Sequence, residues 1–267
     1  MKKTILITGS TDGIGKLTAI KLAKLGHTII LHGRKRDKLE KTVSEIELLT
    51  KNNNIHGFLA DFSDLSAVRQ MTLAIKEKFN KIDVLINNAG IFKSPSVQKG
   101  AVSIQLVVNY LAPYLLTTEL LPLIQKGTDP RIINLSSAAQ SSVSLDALEG
   151  KQTLGFQAAY AQSKLALTMW SFHLAKKEKN IVVIAVNPGS LLNTKMVQEA
   201  YGQSWSSAEK GGEILFNLAI DHSYSTASGK YFDNDQGAFA PAHPDAYESP
   251  KIEDLITSTN AVLNKSL

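Results

Sequence analysis

Not one of the 267 residues is a cysteine, which excludes disulfides and thiolate metal sites. Arginine is scarce, with only Arg34, Arg36, Arg69 and Arg131 among 29 basic residues. The lysines that supply the rest are spread along the chain, and 24 acidic residues leave a net charge of only +5. A nucleic-acid groove needs positive charge gathered on one face, so nucleic acid is not an expected partner. The six histidines lack i, i+4 pairing and carboxylate companions at ligand spacing, so no metal site is expected. An uninterrupted membrane-length apolar run is also missing. "MKKTILITGS" opens like a signal peptide, but its apolar run stops within a few residues at Gly-Ser-Thr-Asp-Gly. The longest apolar stretch, 106–124, is broken by Asn109, Pro113, Glu119 and Pro122. Stable membrane insertion is not expected; a cytoplasmic location is.

What the chain does have is alternation. Short β-branched runs at 4–8, 28–32, 55–60, 82–87, 131–135 and 181–186 read as buried strands. Between them, 14–25, 38–50, 65–79, 103–124 and 157–177 carry helical periodicity. A last strand at 228–233 and a last helix at 251–264 are further candidates. Without repeats or linker-like stretches, this predicts one α/β domain over 1–267, a doubly wound parallel sheet with helices on both faces. Ligands of such sheets gather beyond the carboxyl ends of the strands, so polar residues just after strands are the site candidates.

After the first strand comes "LITGSTDGIG". Gly9 permits a tight turn, Gly13 lets backbone approach a ligand, and Gly15 allows close helix packing, while amides at the helix start face a pyrophosphate. Ser10, Thr11 and Ile14 lie in the same turn and join the candidate cofactor contacts. Asp12 is awkward there, because a carboxylate beside phosphates must point away. The second strand ends in "HGRKR", with Gly33 where NAD-preferring proteins place a ribose-binding carboxylate. Arg34 and Lys35 follow, two cations suited to a 2′-phosphate, so NADP(H) is expected over NAD(H). The bland account of these cations is a charged helix start.

The remaining strand ends are less specific. Two roles are open to Asp61: acceptor for an adenine amino group, or N-cap of the next helix. Phe62 shares its strand end and its cofactor assignment. Asn87, Asn88, Ala89 and Gly90 would let a cofactor pass close to backbone, or simply pin neighbouring strands. Asn109 interrupts an apolar helix, where it either bends the helix and exposes a carbonyl or is a satisfied core amide. Ser136 and Ser137 end the fifth strand, and no Gly-x-Ser-x-Gly elbow marks either as a nucleophile. Asn187, Pro188 and Gly189 open a segment of about 189–212 that reads as a substrate lid and contains Thr194, Tyr201 and Trp205.

Tyr160 and Lys164 stand at i and i+4 on one helix face. A phenol titrates near ~10; a nearby ammonium favours the phenolate, and a positive nicotinamide ring acts the same way. The pair can then protonate a carbonyl oxygen as hydride arrives, or take that proton back.

Taken together, these residues resemble the short-chain dehydrogenase/reductase family along essentially the whole chain. Thr-Gly-x-x-x-Gly-x-Gly stands at 8–15, Asn-Asn-Ala-Gly at 87–90 and Tyr-x-x-x-Lys at 160–164. The resemblance implies a Rossmann fold and a Ser–Tyr–Lys–Asn set. In it Tyr160 is the acid/base, Ser137 polarises the carbonyl, and Lys164 acidifies Tyr160 and binds the nicotinamide ribose. Asn109 holds a water through its main chain, while Pro188, Gly189 and Thr194 contact the carboxamide. The long spacing from Ser137 to Tyr160, "GKYFDND", and the Asp/Ala/Tyr-rich stretch before the last helix look like the retinol-dehydrogenase-like branch. Its members often use NADP(H) on lipophilic aldehydes, ketones or alcohols. A small-molecule carbonyl or alcohol is therefore the expected partner. Relatives also often form homo-oligomers through the two long helices, although an apolar helix face suits the core equally well. Two other classes share parts of the pattern. One is a regulatory binder without turnover, which has no need of all four catalytic residues. The other is the sugar-nucleotide epimerases, which space the glycines differently and carry a larger C-terminal domain.

Overall fold

The computed structural model describes residues 1–93, 101–195, 197–198, 202 and 206–266. Strands β1 (Thr4–Ile7), β2 (Thr28–Gly33), β3 (Ile55–Leu59), β4 (Val84–Asn87), β5 (Arg131–Leu135), β6 (Val182–Asn187), β7 (Lys230–Asp233) and β8 (Ala238–Phe239) form one sheet. Their order is β3-β2-β1-β4-β5-β6-β7-β8, and all pairs are parallel except β7 with β8. Because β-residues alternate faces, β1 sends Leu6 to one core and Ile5 and Ile7 to the other. Burial on both sides explains why these strands read as continuous apolar runs.

One core packs under helices α1 (Gly13–Lys24), α2 (Arg36–Thr50) and α7 (Ala208–Ile220). The other lies under α3 (Leu65–Lys78), α4 (Ile104–Ile124), α6 (Phe156–Lys177) and α8 (Ser249–Ser266), with the short α5 (Leu145–Leu148) beside it. This is the doubly wound single domain that the alternation predicts. The strand order reverses between β1 and β4, which opens a crevice at their carboxyl ends.

Helix α4 is long and apolar enough to cross a bilayer, but 72% of its most apolar window is buried inside the protein, as in a core helix. Helix α8 covers α4 from the same chain. The Tyr110 hydroxyl meets Thr259 Oγ1 at 2.7 Å, and the Tyr114 hydroxyl donates to Asn260 Oδ1 at 2.8 Å. Over this stretch α4 is thus packed within its own chain.

Helix α7 departs from the sequence reading, which carried an irregular lid to 212. Its Gly211 and Gly212 look like a helix breaker, yet they are what the packing demands. A Cβ on Gly211 would fall 2.6 Å from Leu192 Cδ1 and 2.8 Å from Ile14 Cγ2. Tyr201 and Trp205, assigned to the lid, lie outside the described residues.

The ends of β1, β2 and β3 are tied by His32. Its buried ring stacks on Phe62 with centroids 4.1 Å apart. The Gly9 N–H donates to Nδ1 at 3.0 Å, and Nε2 lies 3.0 Å from the Ala60 carbonyl. A backbone N–H can only donate and a carbonyl can only accept, so the ring is neutral with its proton on Nε2. Burial lowers its pKa to about 4, although the Ala60 carbonyl and Asp61 both act to raise it. Below the ordinary histidine value the unfolded chain takes up a proton that the folded chain refuses. This contribution to stability is therefore complete above about pH 6.5 and is lost as pH falls toward the folded value. We expect the stability advantage of wild type over His32→Asn, measured by urea unfolding, to shrink by about 2–3 kcal/mol between pH 7 and pH 4.5.

Candidate active site

The turn between β1 and α1 is built by close contacts. Gly9 has φ +63°, and a Cβ there would lie 2.8 Å from Ala89 Cα. One on Gly15 would lie 2.4 Å from Asn88 Nδ2 and 2.7 Å from the Gly9 carbonyl. What the glycine admits here is thus the turn after β4. Thr8 completes the junction by accepting at Oγ1 from the Asn88 and Ala89 N–H groups, each at 2.9 Å. Asn88 Nδ2 in turn donates to the carbonyls of Thr8 and Gly9.

Ser10 does not face the cleft as a contact residue would. Its buried hydroxyl donates to the Ile7 carbonyl at 2.8 Å and accepts from the His32 N–H at 3.0 Å. The partly exposed Ile14 side chain packs toward Gly211 of α7, and at position 10 only backbone is left for a ligand. Asp12 does point away, as the chemistry requires. It caps α1 through the Gly13 N–H at 2.9 Å and pairs with Lys38 at 2.5 Å. The Lys38 bond, helped by that of Gly13, keeps its carboxyl below the usual range despite some burial.

At the end of β2, a Cβ on Gly33 would fall 2.5 Å from Thr11 Cγ2, so Thr11 fills the space an acidic side chain would need. Arg34 and Lys35 are exposed and make no ion pair among the described residues. Asp61 is not an N-cap; Asp64 caps α3, accepting from Ser66 and Ala67. Instead Asp61 accepts from the Ser63 N–H and hydroxyl at 2.9 and 2.7 Å. Burial would raise its pKa, but those bonds and Arg34 hold it below the usual range. The Phe62 side chain is core, 3% exposed and stacked on His32, so its backbone is what it presents at the strand end.

Asn109 is a core residue, 1% exposed. Its amide is satisfied: Oδ1 accepts from the Ile91 N–H at 2.8 Å, while Nδ2 reaches the Ile91 carbonyl at 2.9 Å and Ser163 Oγ at 3.0 Å. The helix also widens around it into a π turn, Val107–Leu111. Pro113, four residues on, has no N–H, so the Asn109 carbonyl cannot receive its α-helical donor. The Asn-x-x-x-Pro spacing was the readable signal for that missing helical donor, and sequence reasoning missed it.

The serines divide cleanly. Ser136 is buried, with Oγ on the Lys164 carbonyl at 3.1 Å and Thr168 Oγ1 at 2.7 Å. Ser137 is partly exposed; its Oγ accepts from the Ala139 N–H at 3.1 Å, and its own proton has no described acceptor. That hydroxyl is a free donor at the cleft.

Tyr160 is also partly exposed, with its ring edge-on to Phe92 at 4.8 Å. The Lys164 ammonium sits 5.6 Å from the Tyr160 ring centroid and donates to the Leu135 carbonyl at 2.6 Å. It has no carboxylate partner among the described residues, and burial alone lowers its pKa to about 8. It therefore stays mostly charged at neutral pH. A Cβ on Gly90 would lie 3.3 Å from Asn109 Oδ1 and 3.6 Å from Lys164 Nζ, so the Asn-Asn-Ala-Gly turn meets both residues at one point.

After β6, Gly189 adopts φ +124°, and Thr194 folds back until its Cγ2 is 3.6 Å from the Cβ position of Gly13. The Pro188–Gly189 turn and the glycine turn thus flank one crevice. The structure gathers Gly9, Gly13, Asn88, Gly90, Asn109, Ser137, Tyr160, Lys164 and Thr194 around the ends of β1, β4, β5 and β6, with Arg34 and Lys35 at its β2 end. No cluster that could hold a metal occurs among the described residues.

Comparison with known proteins agrees with this geometry. A family profile described as short chain dehydrogenase matches residues 3–204. Human Retinol dehydrogenase 13 is 32% identical over 265 residues, covering 91% of this chain and 80% of that protein. Human Polyprenol dehydrogenase is 31% identical over 235 residues, with 84% and 71% covered. A short chain dehydrogenase from Escherichia coli CFT073, solved in complex with NADPH, is similar with TM-score 0.73 and 26% identity, covering 87% of this chain and 96% of that one. On these grounds the chain belongs to the short-chain dehydrogenase family, in its retinol-dehydrogenase-like branch.

Proposed function

We propose that this protein is an NADP(H)-dependent oxidoreductase interconverting an aldehyde or ketone and the corresponding alcohol, with Tyr160 as general acid/base. The observation that carries the reading is Lys164, an ammonium held out of water with no carboxylate to neutralise it and the Tyr160 ring beside it. A buried unpaired charge is costly and persists where its field is used. Here that field favours the phenolate of Tyr160 and so tunes it for proton transfer.

The residues present fit the cofactor. With the Gly13 N–H taken by Asp12, the first turn of α1 leaves the Ile14 and Gly15 amides without helical acceptors; the cations Arg34 and Lys35 stand unpaired where a 2′-phosphate would lie, and Thr11 excludes a carboxylate from position 33. When bound, the dinucleotide supplies or takes up a hydride at the substrate carbon. Ser137 would donate its free hydroxyl proton to the substrate oxygen and hold it toward Tyr160. Tyr160 would give that oxygen a proton in reduction and remove it in oxidation. Asn109 would hold a relay water through the carbonyl that Pro113 leaves without its helical donor. The solved relative in complex with NADPH supports the choice of dinucleotide.

Tyr160→Phe should lower kcat by ~10²–10⁴ while leaving the NADPH dissociation constant, read by cofactor fluorescence, nearly unchanged; retained turnover across a panel of carbonyl compounds would remove Tyr160 from its role. Arg34→Asp should shift the NADPH-to-NADH ratio of kcat/KM by ~10–100-fold toward NADH, the size of one charge-assisted bond. An unaltered ratio in steady-state kinetics would show that the 2′-phosphate is held elsewhere.

A further inference from the structure

The segment that follows Lys230 touches both loops on which the proposed chemistry depends. On one side, Tyr231 is 4% exposed, and its hydroxyl donates to the Ser137 carbonyl at 3.0 Å. Gln140 Nε2 donates to the same carbonyl at 2.8 Å. On the other side, the next residues take up the Asn187–Ser190 turn almost group by group. The Asn234 N–H donates to the Asn187 carbonyl at 3.0 Å, and Asn234 Nδ2 donates to the Pro188 carbonyl at 2.8 Å. Asn187 Nδ2 bridges Asp233 and Asp235 at 2.8 and 2.9 Å. Asp235 also accepts from the Ser190 N–H at 2.8 Å and hydroxyl at 2.5 Å.

We infer that residues 231–235 form a positioning segment that registers the serine turn after β5 against the Pro188–Gly189 turn after β6. None of these side chains has to meet the substrate. Tyr231 and Asp235 lie four residues apart on one short stretch, so a displacement of either loop is resisted by the backbone that holds the other. Burial, with Asp233 nearby, pushes the Tyr231 phenol well above its ordinary range, so it remains a donor and does not compete with Tyr160 for the substrate proton. Asp235 is held below the usual carboxylate range. Burial acts to raise it, but the Ser190 and Asn187 bonds outweigh that. Its charge therefore remains available to all three donors at neutral pH.

The inference rests on the proposed reaction for its Ser137 half; its Asp235 half can be read without turnover. Tyr231→Phe removes one hydroxyl and keeps the ring. It should lower kcat ~10-fold or more through misplacement of Ser137, with KM and the NADPH dissociation constant within twofold of wild type. Asp235→Asn should weaken NADPH binding ~10-fold, measured by fluorescence titration, and Ser190→Ala should fall between it and wild type. Thermal unfolding of each variant is measured alongside. A lowered Tm with kcat and NADPH affinity both within twofold of wild type would overturn the inference, because a merely structural segment behaves that way. If wild type itself turns over no carbonyl compound, the proposed reaction fails, while weakened NADPH binding by Asp235→Asn would still support the positioning role.

Discussion

An ammonium kept from water without a carboxylate to meet it is the constraint around which the cleft is arranged. Lys164 reaches from α6 to the end of β5 and gives a hydrogen to the Leu135 carbonyl. One strong dipole therefore takes the place of a counter-ion. A carboxylate would have neutralised the charge and fixed it more cheaply, but would have cancelled the field at Tyr160. Placement then propagates outward. A side chain at position 90 would press on Asn109 Oδ1 and touch Lys164 Nζ, so glycine there keeps both groups where they are. Ser136 is drawn behind α6 by the Lys164 carbonyl, which leaves Ser137 as the serine at the cleft.

The other end of the crevice is organised by neutral rather than charged groups. His32 accepts from Gly9 and gives to Ala60 as an uncharged ring, and Ser10 stitches the same strands together. The one carboxylate at the glycine turn, Asp12, is drawn off by Lys38. The result is a turn whose outward character comes from backbone amides and from the free cations at 34 and 35, a combination suited to phosphate.

How much of this could be read from the sequence depended on whether a residue's task was local. The alternation of strands and helices, the glycine turn and the Tyr160–Lys164 pair are local patterns, and each stands where its spacing predicts. Asn109 was ambiguous because its partners, Ile91 and Ser163, are distant in sequence, although Pro113 four residues on held half the answer. Ser10 and Phe62 sit at the right strand ends but turn inward, because His32 captures one by hydrogen bonding and the other by stacking. Helix α7 begins inside the stretch read as a lid, and its Gly211 and Gly212 pack closely against Leu192 and α1. Intrinsic propensity disfavours glycine inside a helix and carries no account of a neighbouring helix.

The family profile ends at residue 204, and what lies beyond it is not an appendage. Helix α7 packs on α1 directly beneath the glycine turn, β7 extends the sheet, and the residues after it grip the turns that follow β5 and β6. The backbone of His243 reaches Gln140 Oε1, which couples the approach to α8 to the serine turn as well. Helix α8 then covers α4 on the far side of the site. The candidate site residues thus lie within the stretch that the profile matches, while residues beyond it contact the turns that carry them. A change in the last sixty or so residues can therefore shift the candidate site without touching any of its side chains. In such an arrangement substrate preference can diverge while the reaction is kept.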